Sequence, residues 1–315
     1  MLGRLPFPSL TLRVMFGWLP FPSLTLRVMR GWLPLRCKVK KEAQYFIPYR
    51  EATMVTYAGQ GDPRRTMELL WGVPTAAEAT PRGPKPGITV GDIVAAATDI
   101  ADTEGFDAVS MRSVGERLGR TAMALYTYVP SKAELVDLML DRALRELDIT
   151  YDVADGWRAA ARRWALDLWD FYLRHPWVHQ ISLARPVLGP GSYLTMERPA
   201  ELFASTELNA ADVMKIVGTV SGFVAGMTRQ IAELREATRA VGQTEMDWWT
   251  TQSELIAELV PDVDARFPRL AAANAEGAFD FEHEPEQYLE QEARNGFEFG
   301  LERLLDGIEA YLSRQ

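Results

Sequence analysis

Cysteine is almost missing from this chain: Cys37 is the single one in 315 residues. That excludes an internal disulfide framework and any multi-thiolate metal site, and it fits a reducing, cytoplasmic setting. Histidine is nearly as scarce, with only His175, His179 and His283. His175 and His179 are four apart, but Pro176, Trp177 and Val178 separate them, so the HEXXH zinc signature is lacking and no third ligand is evident. A partly buried polar or ligand-lining role suits them better than metal. Gly189–Ser192 reads GPGS without a following GK[ST] or a preceding strand, so it is no phosphate loop. No catalytic constellation, metal or cofactor is expected. Pro and Arg interrupt the apolar runs near the N-terminus before a signal-peptide core forms, and no run reaches the length of a membrane span. Strand-period alternation is lacking too, which predicts an all-α fold.

Positive charge is also in deficit. The net charge of −9 argues against a wholesale polyanion binder. Its distribution is uneven: residues 1–53 hold nine Lys and Arg against two Glu, so the rest of the chain is strongly acidic. Within Arg82–Lys132 the charges balance. There the bases gather at both ends and around Arg112, Arg117 and Arg120, while the acids lie mainly between Asp92 and Asp107. A small basic face on an acidic protein suits a specific nucleic-acid binder.

What is present begins with a repeat. LPFPSLTLRVMFGW (Leu5–Trp18) recurs as LPFPSLTLRVMRGW (Leu19–Trp32), and a third copy starts at Leu33. A period this short is below that of solenoid repeats, and two Pro per unit break helix and central strand alike. Translated upstream DNA explains it better than a functional tail, with Met54 or Met67 as the working start and residues 1–53 dispensable. Residues 1–66 are read as an N-terminal extension, disordered or mis-called, and residues 67–88 as a linker. Within the linker TAAEATPRGPKPG carries Arg82 and Lys85, either as a basic arm beside DNA or as a solvated spacer.

Helical signals follow. Thr89 caps a helix over Val90–Glu104, with Ile93, Ala96, Ala97 and Ile100 facing inward and Gly105 ending it. Ser110 caps a short helix from Met111 to Leu118, and Gly119 supplies the left-handed residue after it. Thr121 caps a second short helix, with Leu125 and Val129 inward. Gly115 is small where two steeply crossing helices need close approach. Ser131 then caps a longer helix from Lys132 to about Asp148. Residues 89–150 form one domain and residues 151–315 another. In the latter, helices are expected over Trp157–Arg174, from Pro176, over Gly191–Ser205, from Asn209 to about Ala240, over Met246–Leu259, and over Glu286–Ser313 after a loop-prone acidic segment. Gly218, Gly222 and Gly226 recur every four residues along the longest helix. An interior Gly costs roughly 1 kcal/mol against Ala, so the stripe suggests close approach of another helix.

The pair of short helices around Gly119 is a helix-turn-helix unit, whose second helix enters the major groove. The run ITVGDIVAAATDIADTEGFDAVSMRSVGERLGRTAMALYTYVPSKAELVDLML resembles the DNA-binding domain of the tetracycline-repressor family. FEFGLERLLDGIEAYL resembles the last helix of the C-terminal domain of that family. The resemblance implies phosphate contacts by Ser110, Arg112, Tyr126 and Lys132. The second helix presents Arg120, Thr121, Ala122, Met123, Ala124, Tyr126, Thr127 and Tyr128 to DNA. Arg120 could meet a phosphate or a guanine edge. Met123 is either a base-facing apolar contact or a core gap-filler, and Tyr126 either a backbone contact or core.

The resemblance also implies a small-molecule pocket in the aromatic-rich second domain. Leu147, Trp169, His175, Trp177, His179 and Trp248 are its candidate lining. Leu147 stands where the tetracycline repressor places a drug-contacting His, so the tetracycline–magnesium chemistry is not expected. A homodimer interface is expected from Gly218, Gly222, Gly226, Leu301 and Leu305. The reading is a ligand-responsive, DNA-binding transcriptional repressor, homodimeric, on a palindromic operator, away from membranes and not an enzyme. The alternative is an all-helical ligand-binding or interaction protein that has lost DNA binding.

Overall fold

Helix starts in the first domain are set by side-chain caps, and the computed structural model, which describes residues 56–73, 87–182, 184–279 and 288–314, shows them in place. Thr89 accepts from the Asp92 N–H in a capping box that opens α2 (Val90–Glu104). The Ser110–Ser113 box opens α3 (Met111–Arg117), Thr121 opens α4 (Ala122–Tyr126), and Ser131 opens α5 (Lys132–Leu144). Each such cap is worth about 1 kcal/mol over Ala. A 3-10 turn, Phe106–Ala108, joins α2 to α3. Ile93, Ala97, Ile100, Phe106, Val114, Leu125, Val129, Leu135 and Met139 close the core of this first domain. Gly119 has φ +64° and turns the chain between α3 and α4. A Cβ on Gly115 would lie 2.7 Å from the backbone carbonyl oxygen of Arg120, so the helix crossing requires glycine there.

After a 3-10 turn at Arg145–Leu147 the second domain begins with α6 (Trp157–Arg174). A 3-10 turn, Pro176–Gln180, and α7 (Pro190–Glu201) precede α8 (Ala210–Val241), the longest helix. α12 (Tyr288–Leu312) closes the domain. α6, α8 and α12 pack on one another: Trp169 meets Phe297 at 4.3 Å and Phe223 stacks on Phe297 at 5.8 Å. Arg158 reaches Glu302, Asp306 and Glu309 across the α6–α12 seam. α9 (Glu245–Leu259), α10 (Val263–Arg266) and α11 (Pro268–Ala275) bury no side chain among the described residues.

The structure corrects several expectations. A strand, β1 (Thr56–Tyr57), pairs in parallel with β2 (Ile181–Ser182), and α1 (Pro63–Trp71) follows it. Residues 56–66, expected in the extension, are therefore part of the fold, and Met67 lies inside a helix. The signal was in the sequence: Asp62 caps, Pro63 takes the first helical position, and Gly72 ends the helix at φ +63°. Leu301 and Leu305, expected at a dimer surface, are buried inside the protomer. The close helix approach there uses Gly300, where a Cβ would meet the Phe223 ring at 2.5 Å; around Gly218, Gly222 and Gly226 a Cβ meets nothing within 4 Å. α8 is also long and apolar enough to cross a membrane by length and composition, contrary to the expectation from sequence. Its Val213, Val217, Val220, Val224 and Ile231 are nonetheless buried in the protein core. The repeat, Cys37, Arg82, Lys85 and His283 lie outside the described residues.

Helix propensity alone makes Gly115→Ala stabilising by up to ~1 kcal/mol. The collision with the Arg120 carbonyl reverses the sign, and thermal unfolding should show a loss of about 1–3 kcal/mol. Gly91→Ala is the control, since its methyl meets only Thr89 Oγ1 at 3.5 Å; it should not destabilise.

Candidate nucleic-acid interface and effector region

The outer face of α3 and α4 sorts its basic groups into spent and available ones. Arg112 is exposed and paired with Glu116 at 2.8 Å along α3. Arg117 points back to Asp99 and Glu104 near the end of α2, so its charge is matched within the domain. Arg120 is exposed at the turn, with no ion pair among the described residues, and its Nη2 lies beside Gly87. Lys132 is exposed, with Nζ 5.6 Å from the Phe106 ring centroid.

Around Arg120 the surface is neutral. Thr121 is exposed while its hydroxyl accepts from the Ala124 N–H at 3.3 Å. Met123 is 75% exposed, which rules out a core gap-filler; Tyr126 is 43% exposed. Thr127 is exposed, and Ala122, Ala124 and Tyr128 are half-buried, with only Leu125 of α4 fully inside. Ser110 is half-buried, its hydroxyl occupied by the cap to the Ser113 N–H at 3.0 Å. The assembled surface is therefore a short apolar and hydroxyl-bearing ridge with a cation at each end.

The residues expected to line an effector pocket do not converge on one cavity. Trp169 is core against Phe297. Trp248 stands exposed on α9 against Trp249. Leu147 borders a cavity of about 80 Å³ with Glu146, Ile149, Asp167, Asp170, Phe171 and Arg174. Drug-sized pockets occupy roughly 300–1,000 Å³, so this cavity would have to widen to take such a ligand.

His175 and His179 part company, because His175 ends α6 while His179 lies in the following 3-10 turn. His179 Nε2 lies 3.1 Å from Thr228 Oγ1, and its ring stacks on Tyr172. Burial, with Arg229 nearby, pushes its pKa down to about 4, so it is neutral. His175 is buried at a junction that sequence reasoning missed. Its Nδ1 is 2.8 Å from Asp102 on α2, and its Nε2 is 3.2 Å from Glu146. Trp177 Nε1 donates to the same Asp102 oxygen at 2.6 Å, and its ring stacks on Phe106. Burial works against a charge on His175, yet the hydrogen bonds and charges of Asp102 and Glu146 outweigh it and raise the pKa. His175 thus ties the first domain to the second, through a contact that favours its protonated form.

Comparison with known proteins decides the family. Residues 93–139 match the profile described as bacterial regulatory proteins, tetR family, and residues 152–312 match the tetracyclin repressor-like C-terminal domain. The HTH-type transcriptional repressor DrrR1 of Streptomyces coeruleorubidus is 37% identical over 82% of this chain and 90% of its own length. The chain belongs to the tetR family. It is a helix-turn-helix transcriptional regulator. Two crystal structures of ActR share its fold: the apo protein from Streptomyces coelicolor is 24% identical, with TM-score 0.56 over 73% of this chain and 99% of that one. The complex of Streptomyces coelicolor ActR with actinorhodin is 26% identical, with TM-score 0.56 over 72% and 99%.

For this tetR-family regulator two outcomes are expected. Arg120→Ala should weaken binding to the DNA upstream of the gene. A shallower salt dependence with equal loss on all sequences marks a phosphate contact, and relaxation at one base position by about 1–3 kcal/mol marks a guanine contact. No change in either removes Arg120 from the interface. The His175 junction is fully formed below the ordinary histidine pKa of about 6.5 and is lost as pH rises through the raised value. The parent should therefore lose thermal stability on alkaline titration, while His175→Gln, less stable at low pH by about 1–3 kcal/mol, should show a flatter profile.

Proposed function

We propose that the chain is a homodimeric repressor released from a palindromic operator by a small apolar or drug-like effector held in its C-terminal domain. The observation that carries this reading is α5, which begins beside the recognition surface at Lys132 and ends at Leu144 against α7. One rigid helix touches both the DNA-facing domain and the effector domain. The name of the relative, a repressor, and the actinorhodin complex of ActR support it. On this reading Arg120, Thr121, Met123, Tyr126 and Thr127 face the major groove, with Ala122, Ala124 and Tyr128 packing beneath them. Ser110, Arg112 and Lys132 lie toward the phosphates, Arg112 after giving up Glu116. The protein works in the cytoplasm, away from membranes.

The dimer reading rests on what the protomer leaves uncovered. Gly218, Gly222 and Gly226 line an open face of α8, and Phe299 of α12 is 67% exposed. Trp248, Leu259, Phe267 and Leu270 are exposed on α9 to α11. Facing α8 and α12 helices from two copies, related by a two-fold axis, would cover the glycine face. Leu301 and Leu305 support that surface from within. The effector would enter by widening the cavity beside Leu147 toward Trp169, His175, Trp177 and His179.

Gly222→Leu should weaken association in analytical ultracentrifugation; a variant that dimerises as tightly as the parent would assign the stripe another purpose. The switch is tested by linkage. An effector that releases DNA must bind the DNA-free conformation better, and coupling of about 1–3 kcal/mol loosens the operator roughly 5- to 150-fold. Actinorhodin, titrated by tryptophan quenching with and without operator duplex, should bind more weakly to the complex by the same factor. Equal affinities would sink regulation by such a ligand.

A further inference from the structure

α5 carries three carboxylates into the protein interior. Glu134, Asp137 and Asp141 are 3%, 1% and 2% exposed, and their spacing places them along one side of the helix. Among the described residues none of them meets a lysine, and only Asp141 meets a cation, Arg145. Each accepts from a backbone N–H, with Ser131 Oγ adding a bond to Glu134 and Arg145 Nε one to Asp141. The Asp62 N–H donates to Glu134 at 2.8 Å, the Gly59 N–H to Asp137 at 2.9 Å, and the Gly191 N–H to Asp141 at 2.7 Å. Two glycine-containing turns, Gly59–Asp62 and Gly189–Gly191, are thus seated on this acidic face. Glycine is needed for the seating: a Cβ on Gly61 would lie 2.5 Å from the Glu134 side chain, and Cβ atoms on Gly189 and Gly191 would collide with Asp141.

The first turn belongs to a strap, residues 56–73, that lies outside both matched family profiles. The strap is fastened to the second domain at both ends. At its start β1 pairs with β2, and the Ala58 N–H donates to the Ser182 carbonyl at 3.4 Å. At its end Trp71 Nε1 donates to the Leu188 carbonyl at 3.0 Å, and its ring meets Tyr193 edge-on. Between these ends it holds α5 through Glu134 and Asp137, and Arg145 Nη2 donates to the Leu70 carbonyl at 3.0 Å. A tilt of α5 relative to the second domain must therefore break bonds made by the strap.

We infer that residues 56–73 are a positioning strap that holds α5 in the operator-competent arrangement of the ligand-free protein, so that operator affinity depends on a segment that does not touch DNA. The inference rests on the reading of α5 as the link between the two sites. Asp137 adds to the case: its second oxygen has no hydrogen-bond partner, and burial raises its pKa despite the Gly59 bond. The carboxylate is tolerable there only while the strap supplies its donor.

The test uses the full chain with Gly61→Val, which drives a side chain into Glu134, and separately Trp71→Ala, which frees the other end at a half-exposed site. The probe is a duplex covering the DNA immediately upstream of the gene, and binding is measured at several salt concentrations below each variant's melting temperature. Both variants should bind on the order of tenfold more weakly, with the salt slope of the parent, because no phosphate contact is lost. Parent-like affinity in folded Trp71→Ala would overturn the proposal. A shallower slope would overturn it too, by showing that Arg64 or Arg65 contacts the duplex directly. If the parent itself fails to bind the duplex, the DNA-binding reading falls instead.

Discussion

Burying Glu134, Asp137 and Asp141 on a single helix is the constraint on which much of this structure turns. A buried carboxylate without donors is costly by several kcal/mol, and α5 has three. The chain meets the cost with a backbone amide at each carboxylate, joined by the Ser131 hydroxyl at Glu134 and by Arg145 at Asp141, and amides can be delivered only by turns that come very close. Hence the glycines at 61, 189 and 191, and hence the fixed approach of both the strap and the start of α7. A cation on a long side chain could follow α5 through a tilt. A backbone amide in a tight turn cannot, so the acidic face makes α5 sensitive to its exact seat.

The same economy governs the first domain. Of the arginines near the recognition surface, Arg117 is committed to Asp99 and Glu104 and helps hold α3 on α2. Among the described residues Arg112 is held only by an exposed Glu116, a pair that solvent screens strongly. Arg120 and Lys132 flank α4. On the proposed reading, a surface with so few uncommitted cations cannot bind DNA by charge alone, and the exposed Met123 and Thr127 would supply selectivity through apolar and hydroxyl contacts with base edges. That agrees with the acidic balance of the chain as a whole.

Much of this was legible in the sequence, because the first domain is written in local signals. Thr89, Ser110, Thr121, Ser131 and Asn209 cap where a capping residue should, and Gly115 and Gly119 mark the crossing and its turn. The strap runs across the expected boundary between extension and linker, although DPRRTMELLWG carries an N-cap, a first-turn proline and a terminal glycine. Leu301 and Leu305 were placed at a surface because an apolar stripe does not say which neighbour covers it. In the structure α6 and α8 cover it. The His175 junction was beyond reach of sequence, since Asp102 and His175 are 73 positions apart and only the fold brings them together.

The position of that junction bears on how an effector would act. The cavity beside Leu147 shares Glu146 with the His175 junction and Arg174 with the end of α6. A drug-sized ligand cannot enter about 80 Å³ without spreading these walls. Spreading them moves Glu146 from His175, and the ring then loses one of the two carboxylates that favour its protonation in a buried site. Asp102, on the first domain, is its other anchor. On the repressor reading, opening the pocket and loosening the first domain therefore draw on the same contacts. The fraction of molecules with the pocket open sets the apparent effector affinity, and those are the molecules in which the DNA-binding domain is least firmly held. Coupling of this kind requires no separate path between sites, only a ligand too large for the closed form.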